Sequence, residues 1–322
     1  MGARLVASLL ACACALMMSP QAEAQTRARG TVRLLVPYAP GGVTDVLSRL
    51  VAPHLAEGLG QPVVVENRPG GNSVIGTEAV ARAAPDGLTI GMIDLAFLVN
   101  PSLMQLPYDT QRDFAPIALV ATAPLVMMIN PRTPVRTADE LRAYVRARPG
   151  QFSYASAGVG TAVHVAGEQL AIALGTPLLH VSYRGGALPI NAVVGGEVNS
   201  AFIAYIQARP LMETGQVIGL AITGAQRTPS MPNVPTFAEL GLNGVDAGTI
   251  NGLVAPAGTP REIVDRMATL VSEALRRPDM RARMAEVCCD PAESSPEHFR
   301  GWIGTELAKW AELVRAANIR LE

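Results

Sequence analysis

From Thr31 almost to the C-terminus, short apolar runs alternate with segments whose apolar residues recur every three or four positions. The runs read as buried strands and the periodic segments as helices packed by one face. Thr31–Val36 (TVRLLV) is a strand, followed by the turn Pro37–Gly42. A helix over Thr44–Leu59 follows, with Val46, Leu47, Leu50, Val51 and Leu55 on one face. Pro62–Glu66 (PVVVE) is the next strand, Val74–Ala83 the next helix, and Leu88–Ile93 (LTIGMI) a third strand. The pattern restarts after residue 130, with a helix at Ala138–Ala147 and a strand at Phe152–Ala155. The turn Ser156–Thr161 then leads into a helix running to Leu174. Leu178–Val181 and Ser200–Ile203 are strands, and Leu188–Val194 is a short helix between them. The final helices lie at Arg261–Arg276 and Glu297–Ala317. Thr259 before Pro260 carries a helix-start signal, with Thr259 as N-cap. Two apolar runs, Ile117–Ile129 and Val217–Thr223, read as connectors between the two sets of elements. The expected architecture is therefore α/β with largely parallel sheets, in two lobes joined by two hinge strands. Residues 25–122 and 224–322 would form lobe 1, the C-terminal helices packing across both lobes, and 123–223 lobe 2.

The N-terminus breaks this pattern. Arg4 precedes an unbroken run of 14 apolar or small residues, Leu5–Met18, and Ala22-Glu23-Ala24 is an A-x-A site. A signal peptide over residues 1–24, cleaved after Ala24, fits better than a membrane anchor, because a span needs about 20 apolar residues. A lipobox at Leu9-Leu10-Ala11-Cys12 would leave the A-x-A site unexplained. The mature chain is expected to be soluble and exported.

Composition then narrows the chemistry. Of 322 residues, 49% are hydrophobic and 16% charged, with a formal net charge of −1, so there is core to bury and no basic face for nucleic acid. Lys309 is the sole lysine, which removes Walker-type nucleotide binding and Schiff-base chemistry. Cleavage would remove Cys12 and Cys14 and leave the adjacent Cys288 and Cys289, which cannot staple a loop and could at most form a strained vicinal disulfide. No metal-ligand spacing exists, and no cofactor is expected.

Two turns share one design. Pro37-Tyr38-Ala39-Pro40-Gly41-Gly42-Val43-Thr44 and Ser156-Ala157-Gly158-Val159-Gly160-Thr161 each follow a strand and open a helix. Glycines let a ligand approach main-chain N–H groups, and the helix start favours an anion there. Gly158-Val159-Gly160-Thr161-Ala162-Val163 lacks the third glycine of a dinucleotide fingerprint. Tyr154–Gly158 lacks the first glycine of a nucleophile elbow. His164 lies one helical turn beyond the second glycine turn, within reach of Ser156 or a ligand. A Ser156–His164 pair on an exported hydrolase or isomerase is the competing reading, and it lacks a base-orienting acid nearby.

The blocks VPYAPGGVTD (Val36–Asp45), VVVENRPG (Val63–Gly70), APDGLTI (Ala84–Ile90), YASAGVGT (Tyr154–Thr161), VSYRGG (Val181–Gly186), NVPTFAE (Asn233–Glu239) and APAGTP (Ala255–Pro260) occur in one order. Together they resemble the Bug (TctC-type) family of periplasmic solute-binding proteins of tripartite tricarboxylate transport systems. The resemblance implies a periplasmic-binding-protein type II-like fold, a non-enzymatic role in uptake or sensing, and a small carboxylate ligand. Its partners would be membrane transporter subunits or a periplasmic sensor domain. Carried over by position, Ser156, Thr161 and the backbone of Gly158, Val159 and Gly160 would capture the carboxylate. Ordered waters would bridge the ligand to the loop Tyr38–Asp45, where Pro40, Gly41, Gly42 and Thr44 would complete the closed state and Asp45 would restrain the helix start. The chain departs from the family pattern at Asn199, at Ile250-Asn251-Gly252 and at Gly71-Asn72-Ser73, which is less glycine-rich than usual. With no acid after Gly195-Gly196-Glu197-Val198-Asn199, Asp94 becomes the candidate to hold an amine or hydroxyl. Tyr38, Phe97 and Tyr205 are the candidate aromatic lining.

Overall fold

The computed structural model describes residues 30–183, 187–224, 226–228, 231–287, 289–292 and 294–320. The expected signal peptide, Cys288 and Arg184–Gly186 therefore lie outside the described residues. Strands β1 (Val32–Val36), β2 (Val63–Asn67) and β3 (Thr89–Ile93) are parallel, with β1 between the other two. Helices α1 (Val43–Leu59), α2 (Val74–Ala81) and the short α3 (Ala96–Val99) follow them in turn. Helix α1 forms because Leu47, Val51 and Leu55 recur on one face and are buried, and it stops at Gly60 in the left-handed region.

The second unit repeats the scheme. β4 (Phe114–Ile129) leads to α4 (Ala138–Ala147), which opens with a Thr137–Glu140 capping box. β5 (Ser153–Ser156), β6 (Leu179–Ser182) and β7 (Ser200–Ala204) are parallel, with β5 between the others. They alternate with α5 (Ala162–Leu174), α6 (Ala187–Gly195) and α7 (Tyr205–Glu213). The chain ends with β8 (Ile218–Ile222), β9 (Gly248–Pro256), α8 (Arg261–Arg276), α9 (Pro278–Glu286), β10 (Asp290–Pro291) and α10 (Pro296–Ala316).

One sheet of order β2-β1-β3-β9-β4-β7-β5-β6 carries both triplets, with β8 and β10 also paired to β4. The two wings meet on β4. Its first part, Phe114–Pro124, pairs with β9, and Leu125–Ile129 pairs with β7 and β8. At the change-over Leu125 donates to Thr223 Oγ1, and Thr223 N–H donates back to Leu125 O, each at 2.9 Å.

Three elements differ from the sequence expectation. Val217–Thr223 is no plain connector, because β8 pairs antiparallel with β4 inside the second wing. Between β3 and β4 lies β9, whose Gly-Thr-Ile-Asn-Gly start carries little strand signal. Its glycines serve close approach: a Cβ at Gly252 would lie 2.3 Å from Phe299 Cζ, and one at Gly248 would lie 2.6 Å from Ala123 O. Thr259 is not the N-cap. Pro260 holds that position, and the Thr259 hydroxyl donates to Pro256 O at 2.8 Å. Phe97 is fully buried, edge-on to Phe114 at 5.1 Å, so it belongs to the core and not to a ligand slot.

That core is continuous from the first wing (Leu35, Phe97, Val99) through Met127 to Val165 and Leu170 of α5. Each large side chain removed from water there contributes about 1.5–3 kcal/mol. Lys309, on α10, bonds Asp246 at 2.8 Å and lies 4.4 Å over the Trp310 ring, beside a cavity of about 590 Å³ away from both glycine turns. Among the described residues no helix is long and apolar enough to cross a membrane.

Candidate functional site

Both glycine turns lie at the carboxyl ends of parallel strands, where open α/β sheets place their ligands. In the first turn Gly41 has φ +93°, and its N–H donates to Asp45 Oδ2 at 3.0 Å. Asp45 also accepts from Arg49 and from Asn67 Nδ2, and Asn67 donates to Tyr38 O. Burial pulls the Asp45 carboxyl up, but Arg49, Gly41 and Asn67 outweigh it and hold it below the usual range. Asp45 thus fixes the turn as a helix-start residue. Pro40 and Gly41 stay exposed, Gly42 is half-buried, and Thr44 is buried in the first turn of α1. Gly76 lets α2 pack on this region: a Cβ there would lie 2.8 Å from both Pro37 Cα and Arg68 O.

Asp94 stands just beyond β3 and accepts from the Tyr38 hydroxyl at 2.6 Å. Burial pushes its carboxyl up to about 6, against the opposing effect of the Tyr38 hydrogen bond. Asp94 Oδ1, Ser73 Oγ and Tyr108 Oη are buried without a partner, so the base of this wing holds unspent polar atoms. Tyr205 opens α7 at the end of β7, half-buried against the second wing's own core.

The second turn is tightly wired. Gly158 (φ +138°) donates its N–H to Ser156 Oγ at 3.1 Å, and Thr161 Oγ1 donates to Gly158 O at 2.7 Å. Gly160 (φ +82°) donates its N–H to His164 Nδ1 at 3.2 Å. The Gly158 and Gly160 amides are thereby satisfied inside the turn. Among the described residues, the amides of Ala157 and Val159 and the first-turn amides of Ala162 and Val163 make no hydrogen bond. They are the donors left at the positive end of α5.

Sequence reasoning missed the group beneath this turn. Ser156 Oγ lies 2.7 Å from His180 Nε2, not against His164. The register of β5 on β6 sets Tyr154 opposite His180, which stack at 5.0 Å, and the His164 and His180 rings are 4.1 Å apart. The Tyr154 hydroxyl donates to Glu168, whose Oε1 is 3.8 Å from His164 Nε2. Burial, then the neighbouring His180, pushes His164 down to about 3; burial alone pushes His180 down to about 4. Both imidazoles are therefore neutral at pH 7. Because His164 Nδ1 accepts from Gly160, its ring proton sits on Nε2, toward Glu168. Burial raises Glu168 and, with Glu168 beside it, Tyr154. Nothing in the local sequence pairs positions 156 and 180; only strand register does.

The other wing reaches this turn through Asn72, whose Nδ2 donates to Val159 O at 3.2 Å. A Cβ at Gly160 would lie 2.4 Å from Leu103 Cδ1 and 3.7 Å from Val99 Cγ1, so the glycine lets the wings touch.

Comparison with known proteins identifies the family and the fold. Residues 47–319 match the model of the tripartite tricarboxylate transporter family receptor, TctC. The structure of the periplasmic binding protein BugD is 34% identical, with a TM-score of 0.80 over 90% of this chain and 99% of that one. An R. palustris protein determined with adipate is 30% identical, TM-score 0.83, over 90% and 98%. MatC of Rhodopseudomonas palustris, with bound malate, is 31% identical, TM-score 0.78, over 88% and 98%. The first of these is a periplasmic binding protein and the other two hold small carboxylates, and none of them supports the hydrolase alternative. The fold is the two-lobed periplasmic-binding-protein fold, and the chain belongs to the TctC family of tripartite tricarboxylate transporter receptors.

Proposed function

We propose that this chain is an exported receptor that captures a small carboxylate between its lobes, for uptake by a tripartite tricarboxylate-type transporter or for a periplasmic sensor. Removal of residues 1–24 would release the mature form. The lobes would be 25–122 with 224–322, and 123–223, hinging where β4 passes Pro124 and Thr223. The observation that carries the reading is the second turn, with unspent amides at Val159 and the start of α5 above two neutral imidazoles. An anion there meets main-chain donors at the positive end of a helix. The adipate and malate held by the two R. palustris relatives support a carboxylate class.

In this reading the Val159 amide and the first-turn amides of α5 bind the carboxylate directly, with Ser156, Gly158, Gly160, Thr161 and His164 shaping the cradle. Pro40, Gly41, Gly42 and Thr44 close over it through water, and Tyr38, Asp94 and Tyr205 meet the rest of the ligand. Asp94, its carboxyl pushed up to about 6 and still ionised at pH 7, suits an amine or hydroxyl at the far end. Contacts made only in the closed form drive closure, since a ligand shifts an equilibrium by differential affinity alone. Thermal-shift screening of the mature protein with C2–C8 mono- and dicarboxylates tests the class. At least one acid should raise the melting temperature, and a panel in which only uncharged solutes do so would overturn the reading.

A further inference from the structure

Asn72 lies outside the residues assigned to capture, yet its side chain crosses the cleft. Its Nδ2 donates to Val159 O at 3.2 Å and to Asn100 Oδ1 at 2.8 Å, and Asn100 Nδ2 donates back to Asn72 O at 2.8 Å. This reciprocal pair fixes which way both amides point. Asn100 Nδ2 must face a carbonyl, so its Oδ1 faces Asn72, and Asn72 must present its NH₂ to both Asn100 and Val159. Asn100 is fully buried, so the anchor on the first wing is rigid. Asn72 and Ser73 are two consecutive non-glycine residues in the left-handed region, φ 51° and 72°. Such a backbone persists only where its surroundings hold it, and here it aims one amide at the opposite lobe.

The acceptor is what matters. The peptide unit between Val159 and Gly160 is gripped at both ends: its C=O by Asn72 from the first lobe, and its N–H by His164 Nδ1 from the second. The neighbouring Val159 N–H is a donor that the capture reading assigns to the carboxylate. We propose that Asn72 is a positioning residue and interlobe latch. It stabilises the closed form by a hydrogen bond to the ligand-gripping turn itself, so that closing the lobes also fixes the turn for its ligand. This rests on the reading that the lobes close on a carboxylate.

The experiment uses the mature protein, Asn72→Gly and Asn72→Asp. Glycine accepts the left-handed backbone and removes the amide; aspartate keeps the side-chain shape and tolerates that backbone, but sets an acceptor against Val159 O. Small-angle X-ray scattering without ligand reads the open–closed balance. Stopped-flow and calorimetry with adipate and malate as probes read binding. In Asn72→Gly the ligand-free protein should shift toward the open form. Probe dissociation should speed up, and Kd rise, by about 3–10-fold, the range of one net hydrogen bond. Asn72→Asp should lose at least as much, and association rates should change little. Both variants unfolding with wild-type heat capacity change and a native-like spectrum shows that the fold is intact. Unchanged scattering in both folded variants would overturn the latch even if neither probe binds any form. Wild-type failure to bind any carboxylate, with the scattering shift present, would overturn the capture reading and leave the latch standing.

Discussion

Gly160→Ala separates the cost of the turn from the cost of closing. The substitution has two effects that act in different states. The first is backbone strain: at φ +82° an alanine costs about 1–2 kcal/mol whether the lobes are open or shut. The second is steric. The new Cβ would lie 2.4 Å from Leu103 Cδ1, 3.3 Å from Asn72 Nδ2 and 3.7 Å from Val99 Cγ1, all on the first wing. Leu103 is half-buried and its tip can turn, so the overlap sits at the lower end of overpacking costs, about 1–2 kcal/mol. It exists only where the lobes touch, so it subtracts from closure and from affinity. The expected result is a melting temperature lower by about 2–8 °C and a Kd raised about 5–30-fold for the carboxylate that binds wild type. Gly175→Ala is the control. Gly175 has φ +61° with nothing within 4 Å of its Cβ position, so it should lose stability without losing affinity. Calorimetry and thermal unfolding of the three proteins decide the matter. A folded Gly160→Ala that binds like wild type would refute contact between the lobes at this residue in the ligand-bound state.

Other consequences concern the buried groups. Both His164 and His180 titrate below the ordinary 6.5 when folded, so the unfolded chain takes up protons first. Their contribution to stability is complete above about pH 6.5 and drains as pH falls toward 4 and then 3. Glu168, raised by burial, acts in the opposite sense. His164→Asn keeps an acceptor for the Gly160 amide without titrating; denaturant melts between pH 7 and 4 should show a shallower acid decline, and an unchanged slope would count against the assignment. Gly167→Ala should destabilise by about 1–3 kcal/mol, because its Cβ would lie 2.1 Å from Tyr154 Cε2; urea unfolding measures it, and a loss under a few tenths of a kcal/mol would mean that Tyr154 is free to move. Asp45→Ala removes the acceptor for Gly41, Arg49 and Asn67 and should cost about 2–3 kcal/mol of stability. It should also release the first turn, seen as faster hydrogen exchange at Gly41; unchanged exchange there would contradict Asp45 as its restraint.

Much of the scaffold was legible because it is local. The α1 face of Leu47, Val51 and Leu55 is written in its spacing, as are the glycines that open each βα turn. Asp45 could be read as a helix-start residue because its partner Gly41 lies four positions away. What escaped the sequence depends on distance along the chain. β9 is a strand because β3 and β4 offer it two edges, not because Gly248–Gly252 favours extension. His180 reaches Ser156 through the register of β6 on β5, and Asn72 reaches Val159 across 87 residues. The glycine-poor Gly71-Asn72-Ser73 stretch stood out as a departure in composition. Its two left-handed residues and its partner on the second wing are visible only in three dimensions.

The central claim is that main-chain amides at the start of α5 recognise negative charge. Calorimetry of the mature protein against each carboxylate that raises its melting temperature, paired with the matching amide, tests it most directly. Two or three charge-assisted hydrogen bonds, each roughly twice as strong as its neutral counterpart, predict that the acid binds at least about 30-fold more tightly than the amide. Equal affinity for acid and amide would contradict the account.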